Sequence, residues 1–160
     1  MGISKFLLAI ILTIAPISEL RIGLPLAINY GVENNIPLFL IFFTIVLINI
    51  LMIFVIFFLL DNIHHILMKL KPYKWVFNAY IKRFQRKIDK FEKKYESIGF
   101  FALVLFVAIP LPGTGAWTGS LLSWIMELDR KKSILAISLG IIIAGLLIFL
   151  GSLGFIHLFY

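Results

Sequence analysis

The sequence predicts an all-α integral membrane protein, built as an inverted repeat with a re-entrant hairpin plus a transmembrane helix in each half. Three observations indicate this fold. Hydrophobic residues make up 61% of the chain, well above the share in soluble domains. Two apolar segments are long enough to cross a bilayer, and two shorter ones are broken by prolines, glycines or charges. Most of the lysines and arginines lie in one stretch between the two halves.

The first repeat is predicted to occupy residues 1–60 and to begin with a re-entrant hairpin at residues 3–30. Its first arm, Ile3 to Ala15, would be about 20 Å long as a helix, whereas the hydrocarbon core is about 30 Å thick. Pro16 and Pro25 each remove a backbone donor and push the preceding residue towards extended geometry. The stretch from Ala15 to Leu26 is therefore not expected to be one continuous helix, and an irregular tip is predicted between the two prolines.

The first transmembrane helix is predicted at residues 36–60, which contain no charged side chain. As a helix this segment would be about 37 Å long, which is enough to cross the bilayer. Asn49 lies near its middle and is expected to form a hydrogen bond to another helix, the ordinary role of a lone amide at that depth.

A basic connector helix is predicted at residues 61–97. Within Tyr73 to Ser97 the apolar residues follow a heptad pattern, and basic side chains fill the opposite face. This pattern is typical of an amphipathic helix on anionic lipid head groups, but the spacing also permits a coiled coil between protomers, which would make a homo-oligomer. The positive-inside rule places the connector in the cytoplasm and the chain in the cell membrane as a multi-pass protein. The basic cluster therefore indicates topology, and no nucleic-acid partner is predicted.

The second repeat is predicted at residues 98–160, with a re-entrant hairpin at residues 98–128 and a transmembrane helix at residues 133–157. Ile98 to Ile109 would be only about 18 Å long as a helix, and it runs into two prolines and two glycines. The basic residues at positions 130–132 lie on the same side as the connector only if this segment turns back. The positive-inside rule therefore favours a hairpin over a single crossing.

Glu19 and Arg21 lie in the middle of the first hairpin, where a charged side chain costs about 2.5–3.5 kcal/mol on insertion scales. Side chains two apart in an extended stretch point to the same side, so both are predicted to face one cavity. Arg21 would attract an anion such as a phosphate, while Glu19 would hold Arg21 in place or act as a proton-coupling group. The alternative is an ion pair that only stabilises the turn.

The second hairpin turns within a stretch of prolines and glycines that carries no charged side chain. Glycines let backbone amides approach a ligand, and a helix starting near Trp117 would point the positive end of its dipole into the membrane. The alternative is a helix break needed only for the turn. The candidate substrate-binding residues of both hairpins are Glu19, Arg21, Pro25, Pro110, Pro112, Gly113, Thr114 and Gly115.

Catalysis, metal binding and cofactor binding are not predicted. The chain has no cysteine, and the adjacent His64 and His65 lack the spacing of metal ligands. The sequence pairs no nucleophile with a positioned base, so the protein is not expected to be an enzyme.

Two motifs resemble the signature of the small multidrug export protein family: P-I-S-E-L-R-I-G-L-P-L-A at residues 16–27 and I-P-L-P-G-T-G-A-W-T-G at residues 109–119. With the order of the spans, this resemblance covers nearly the whole chain. The family is in turn similar to the DedA, or VTT-domain, superfamily, whose members have two opposed re-entrant hairpins. Some members are implicated in returning polyprenyl-phosphate carriers across the membrane or in scrambling phospholipids.

The resemblance implies a transporter or flippase for a lipid phosphate or phospholipid, with its site between the hairpins. Glu19 and Arg21 match the acidic and basic positions of the first hairpin, and residues 110–113 match the proline-glycine turn of the second. Two other functions stay open at this point. One is a small multidrug exporter, in which Glu19 would bind a cationic amphiphile. The other is a membrane scaffold that transports nothing and binds lipid or a partner through Tyr73 to Ser97.

Overall fold

The structure, a computed structural model, describes residues 2–67, 94–111 and 113–159, and all regular secondary structure in these ranges is α-helical. The predicted all-α class is therefore confirmed for this part of the chain. The helices are α1 (Gly2–Ile14), α2 (Glu19–Glu33), α3 (Leu38–Leu67), α4 (Lys94–Ala108), α5 (Ala116–Ile125) and α6 (Arg130–Phe159).

Helices α3 and α6 are long and apolar enough to cross a membrane, over Leu38–Asn62 and Arg130–Phe155 respectively. Each presents a row of exposed apolar side chains three or four residues apart, as expected of a helix face that meets lipid. On α3 this row comprises Phe39, Phe43, Leu47, Leu51, Phe54 and Phe58, and on α6 it includes Leu135, Leu139, Ile142, Leu146 and Leu150.

Helices α1 and α2 form an antiparallel hairpin, joined by a turn at residues 15–18 that we call the first turn. Lys5 near the start of α1 forms an ion pair with Glu33 at the end of α2, at 2.8 Å. Further along, Gly23 of α2 lies so close to α1 that a Cβ atom there would be 2.9 Å from the carbonyl oxygen of Ala9. The glycine therefore permits the close approach of the two helices.

The break expected within residues 15–26 is confirmed, but the irregular tip is shorter than the predicted stretch between Pro16 and Pro25. Helix α2 already begins at Glu19, and Pro25 lies inside it. A proline inside a helix removes one backbone hydrogen bond, and contacts of α2 with α1, α3 and α6 compensate for that loss. The irregular segment is thus confined to the four residues of the first turn.

Helices α4 and α5 are joined by residues 109–115, which we call the second turn. Helix α4 packs closely on α6, where a Cβ atom at Gly140 would lie 2.6 Å from Cβ of Val107. Helix α4 runs without a break from Lys94 to Ala108, across the predicted boundary between connector and second repeat. Residues 68–93, and with them most of the predicted amphipathic helix, lie outside the described residues.

Helices α2 and α5 each contact both long helices, so the two turns meet inside the bundle. The core around them is formed by aliphatic side chains of α2, α3 and α6, including Leu24, Ile28, Ile45, Ile53, Ile137 and Ile141. Asn49 of α3 is buried in this core and donates from Nδ2 to the carbonyl oxygen of Thr13 at 3.1 Å. The predicted interhelical hydrogen bond of Asn49 is therefore confirmed.

Candidate functional site

The carboxylate of Glu19, the first residue of α2, contacts the first residues of α5. Oε2 accepts a hydrogen bond from the backbone amide of Ala116 at 3.1 Å, and Oε1 accepts one from the amide of Trp117 at 3.0 Å. These amides lie at the N-terminus of α5, where backbone donors have no partner within the helix and the dipole favours negative charge. Glu19 thus supplies the cap that α5 lacks, since its own N-cap residue is Gly115.

Arg21 contacts both Glu19 and the second turn. Nη1 lies 3.3 Å from Oε2 of Glu19, and Nη2 donates to the hydroxyl of Thr114 at 2.6 Å. The Thr114 hydroxyl donates in turn to the carbonyl oxygen of Ile109 at 2.7 Å. The side chains of Glu19 and Arg21 are 2% and 12% exposed, so the ion pair lies almost entirely inside the protein.

We call the groups that surround the Glu19 carboxylate the donor cluster: the Arg21 guanidinium, the Thr114 hydroxyl, and the backbone amides of Ala116 and Trp117. Three of these four donate directly to the carboxylate, and the Thr114 hydroxyl holds the guanidinium in place. All four groups suit an anion, and a guanidinium beside helix-terminal amides is a recurring way to bind phosphate or carboxylate. Here the anion is a side chain of the protein itself.

The backbone at Glu19 is unusual. Its φ of +43° lies in the left-handed region, which residues with a side chain rarely adopt. The extended conformation predicted for Glu19 and Arg21 was wrong, because both are among the first three residues of helix α2. A regular helix would send side chains two apart to different faces, and the left-handed backbone at Glu19 departs from that geometry where the ion pair forms.

Gly115 lies directly against the Glu19 carboxylate. A Cβ atom at position 115 would overlap the carboxylate oxygens, so only glycine leaves room for this contact. Its φ of −108° is accessible to any residue, and the requirement is therefore one of space and not of backbone conformation.

A cavity of about 10 Å³ adjoins the ion pair and is lined by residues of α2, α3, α4, α6 and the second turn. We call it the site cavity. Two buried polar atoms of residues that line it, Nε of Arg21 and Oδ1 of Asn49, have no hydrogen-bond partner among the described residues. Its volume is about that of one water molecule. The site therefore holds a spare donor and a spare acceptor around a space that must widen to admit anything larger.

The other predicted substrate-binding residues are not among the groups of the donor cluster. Pro25 is one helical turn beyond Arg21 on α2. Pro110 is exposed, and Gly113, with φ of +81°, has no atom within 4 Å of where a Cβ would stand. Pro112 lies outside the described residues. Glu19, Arg21, Thr114 and Gly115 are thus brought together, whereas Pro110 and Gly113 form the outside of the second turn.

Two further donors of the site, the amides of Ala116 and Trp117, belong to the helix that was predicted to start near Trp117 with its positive end facing the membrane interior. The glycines of the second turn were expected to supply the amides, but the donors come from the two residues that follow Gly115. The predicted helix start was the signal for these donors, because the first amides of a helix have no partner within it, although the two residues were not singled out. Elsewhere in the described ranges, no group of His, Asp and Glu residues is arranged to hold a metal ion.

Comparison with known proteins gives a family. Residues 19–147 match the family model described as "Putative small multi-drug export protein", and these residues make up most of the chain. No curated protein and no solved structure matches the chain. The similarity to the DedA superfamily gains no support from these comparisons and stays a prediction. The family match and the two long apolar helices together make this a membrane protein, and the chain belongs to the small multi-drug export protein family.

Proposed function

We propose that this protein is a membrane transporter for amphipathic molecules with an anionic head group, such as a lipid phosphate or phospholipid. The donor cluster is the observation that carries the proposal. It gathers a guanidinium and two helix-terminal amides around one negatively charged group, with a hydroxyl positioning the guanidinium. These donors would meet a phosphate as they meet the Glu19 carboxylate, which therefore stands in for the head group of the substrate.

Charge discriminates between classes of substrate at this site. A cationic substrate that paired with Glu19 would lie beside the Arg21 guanidinium and the positive end of α5, and both would repel it. An anionic head group meets attraction from the same groups. It needs only to displace Glu19, whose carboxylate can leave if it takes up a proton.

The proposed transport step is an exchange of anions at the donor cluster. The head group binds to Arg21 and to the amides of Ala116 and Trp117, and the displaced Glu19 carboxylate takes up a proton because it has lost its partners inside the protein. When Glu19 releases that proton, its carboxylate returns to the cluster and the head group leaves. Uptake of the anion would thus be coupled to uptake of a proton.

We further infer that the two halves are inverted repeats, with re-entrant hairpins that enter from opposite leaflets. Helix α2 of the first half contacts α6 of the second, and α5 of the second half contacts α3 of the first. This reciprocal packing is what an inverted repeat would produce, and transporters with such repeats bind substrate where the halves meet. The basic connector would then face the cytoplasm of a multi-pass protein in the cell membrane, and its Tyr73 to Ser97 helix would contact anionic lipid head groups.

The family description favours a second candidate, multi-drug export. The drug that would pair with Glu19 is a cationic amphiphile. In that mechanism a cation and a proton would compete for Glu19, and Arg21 would act only as a counterion in the empty state. The buried ion pair is compatible with this use, but the amides of Ala116 and Trp117 would then have no role towards the substrate.

The test compares two fluorescent lipids with the same acyl chains in proteoliposomes that contain the full chain. One is a labelled phosphatidic acid, and the other carries a trimethylammonium head group. We expect the protein to speed the movement of the anionic lipid between leaflets and to leave the cationic lipid at the rate of protein-free vesicles. Faster movement of the cationic lipid alone would support drug export. No effect on either lipid would support a membrane scaffold that transports nothing. Each of these two results would contradict the proposal.

A further inference from the structure

A groove beside the donor cluster indicates where the rest of the substrate lies. It has a volume of about 430 Å³ and runs between α2 and α6. Its lining is formed by Pro25 and Asn29 of α2 with Ile148, Gly151, Ser152 and Phe155 of α6. We propose that this groove holds the apolar tail of the molecule whose anionic head group binds at Arg21. This inference rests on the proposed function and adds to it the place where the hydrocarbon chain of the substrate binds.

The register of α2 aligns the groove with the head-group site. Arg21, Pro25 and Asn29 are four residues apart, so they share one face of the helix. The groove therefore begins one turn beyond the guanidinium, at Pro25, and follows α2 for about 6 Å to Asn29, the rise of four residues. A chain attached to an anion at Arg21 would enter the groove directly.

The two spaces meet at one side chain. Ile148 of α6 lines the site cavity at the ion pair and also lines the groove. Since this residue borders both spaces, a shift of its side chain would connect them. A head group and its tail would then occupy one continuous site.

The chemistry of the groove suits a hydrocarbon chain. No lining residue is charged, and the polar ones, Asn29 and Ser152, are neutral. Phe155 is 63% exposed at the far end, so the groove opens onto the apolar surface of α6. Gly151 has no atom within 4 Å of where a Cβ would stand, which leaves room for an occupant along α6. A substrate tail that carried a charge would find no partner in this groove. A hydrocarbon tail that enters from the bilayer exchanges one apolar environment for another.

The chain offers a matched pair of variants for the test. Gly151 and Gly154 both lie on α6 with open space at Cβ, but only Gly151 lines the groove. Gly151→Phe would fill the groove, and Gly154→Phe adds the same side chain outside it. The probes are butyl phosphonate and dodecyl phosphonate, which share a head group and differ in tail length, and binding to the purified full chain in detergent is measured by calorimetry.

We expect Gly151→Phe to weaken dodecyl phosphonate binding by about tenfold, the loss expected when a packed contact is blocked, and to leave butyl phosphonate unchanged. Gly154→Phe should bind both probes as the original chain does. Equal binding of dodecyl phosphonate to both variants would overturn the tail site, and a changed oligomeric state in Gly151→Phe alone would assign the groove to a second copy of the chain. Failure of the original chain to bind either probe would instead contradict the proposed function.

A second measurement needs no substitution and covers the case in which Gly151→Phe does not fold. A dodecyl phosphonate with a photoreactive diazirine at its last carbon should crosslink to residues 148–155 or to Asn29, as mapped by mass spectrometry. Excess butyl phosphonate should abolish this crosslinking, because it competes for the head-group site. Crosslinks spread over the lipid-facing side of α3 would contradict the proposal.

Discussion

Replacing Arg21 with glutamine should lower the rate of anionic lipid movement by about 100-fold or more, because loss of one partner from a buried, hydrogen-bonded charge pair weakens binding by about 2–5 kcal/mol. Arg21 provides the full positive charge of the donor cluster, and its guanidinium contacts Glu19 and Thr114 at the same time. Glutamine keeps a polar side chain but cannot attract a phosphate. The measurement is the initial rate of labelled phosphatidic acid movement in proteoliposomes, at equal amounts of folded protein.

Two further variants make this result specific. Arg21→Lys keeps the charge but cannot place two donors in a fork, so its rate should lie between those of the original chain and Arg21→Gln. Lys5→Gln serves as the control, because Lys5 belongs to an ion pair whose side chains are 50% and 42% exposed and far from the turns. An Arg21→Gln protein that moves the anionic lipid as fast as Lys5→Gln would exclude Arg21 from the substrate site.

Replacing Glu19 with alanine should have the largest effect on stability, about 3 kcal/mol. The change leaves the buried Arg21 guanidinium without its counterion and leaves the amides of Ala116 and Trp117 without an acceptor. Glu19→Gln should cost less, since its side-chain oxygen can still accept from one of these amides. The comparison is made by thermal unfolding in detergent.

The double variant Glu19→Ala with Arg21→Ala separates this mechanism from a general loss of packing. Once Glu19 is absent, removal of Arg21 takes away an unpaired buried charge, so the double variant should lose less stability than the sum of the single variants. Additive losses would mean that the two side chains act independently, in conflict with the contacts between them.

Much of the architecture could be predicted because it follows from local composition. Uncharged segments of sufficient length mark α3 and the outer part of α6, and proline with glycine marks the second turn. The turn between Pro16 and Pro25 was overestimated for a physical reason. A proline excludes one hydrogen bond, but only the packing of α2 against three other helices decides whether the helix continues, and that packing is not a local property.

The charged residues of the site could be predicted from the sequence, but their hydrogen-bond partners could not. The charges of Glu19 and Arg21 mark it in the sequence, because a membrane protein keeps buried charge where it has partners. Their partners could not be predicted, since Glu19 and the amide of Trp117 are separated by 98 positions and meet only through the folding of both halves. The expectation of free amides at the second turn consequently missed that Glu19 already occupies them.

The central claim is that an anionic head group takes the place of the Glu19 carboxylate. The most direct measurement is proton uptake when decyl sulfonate, whose charge does not titrate, binds to the purified protein in weakly buffered detergent. We predict uptake of about one proton per bound anion, with affinity that strengthens as the pH falls, and neither effect in Glu19→Gln. Binding without proton uptake, or the same uptake in Glu19→Gln, would contradict the exchange.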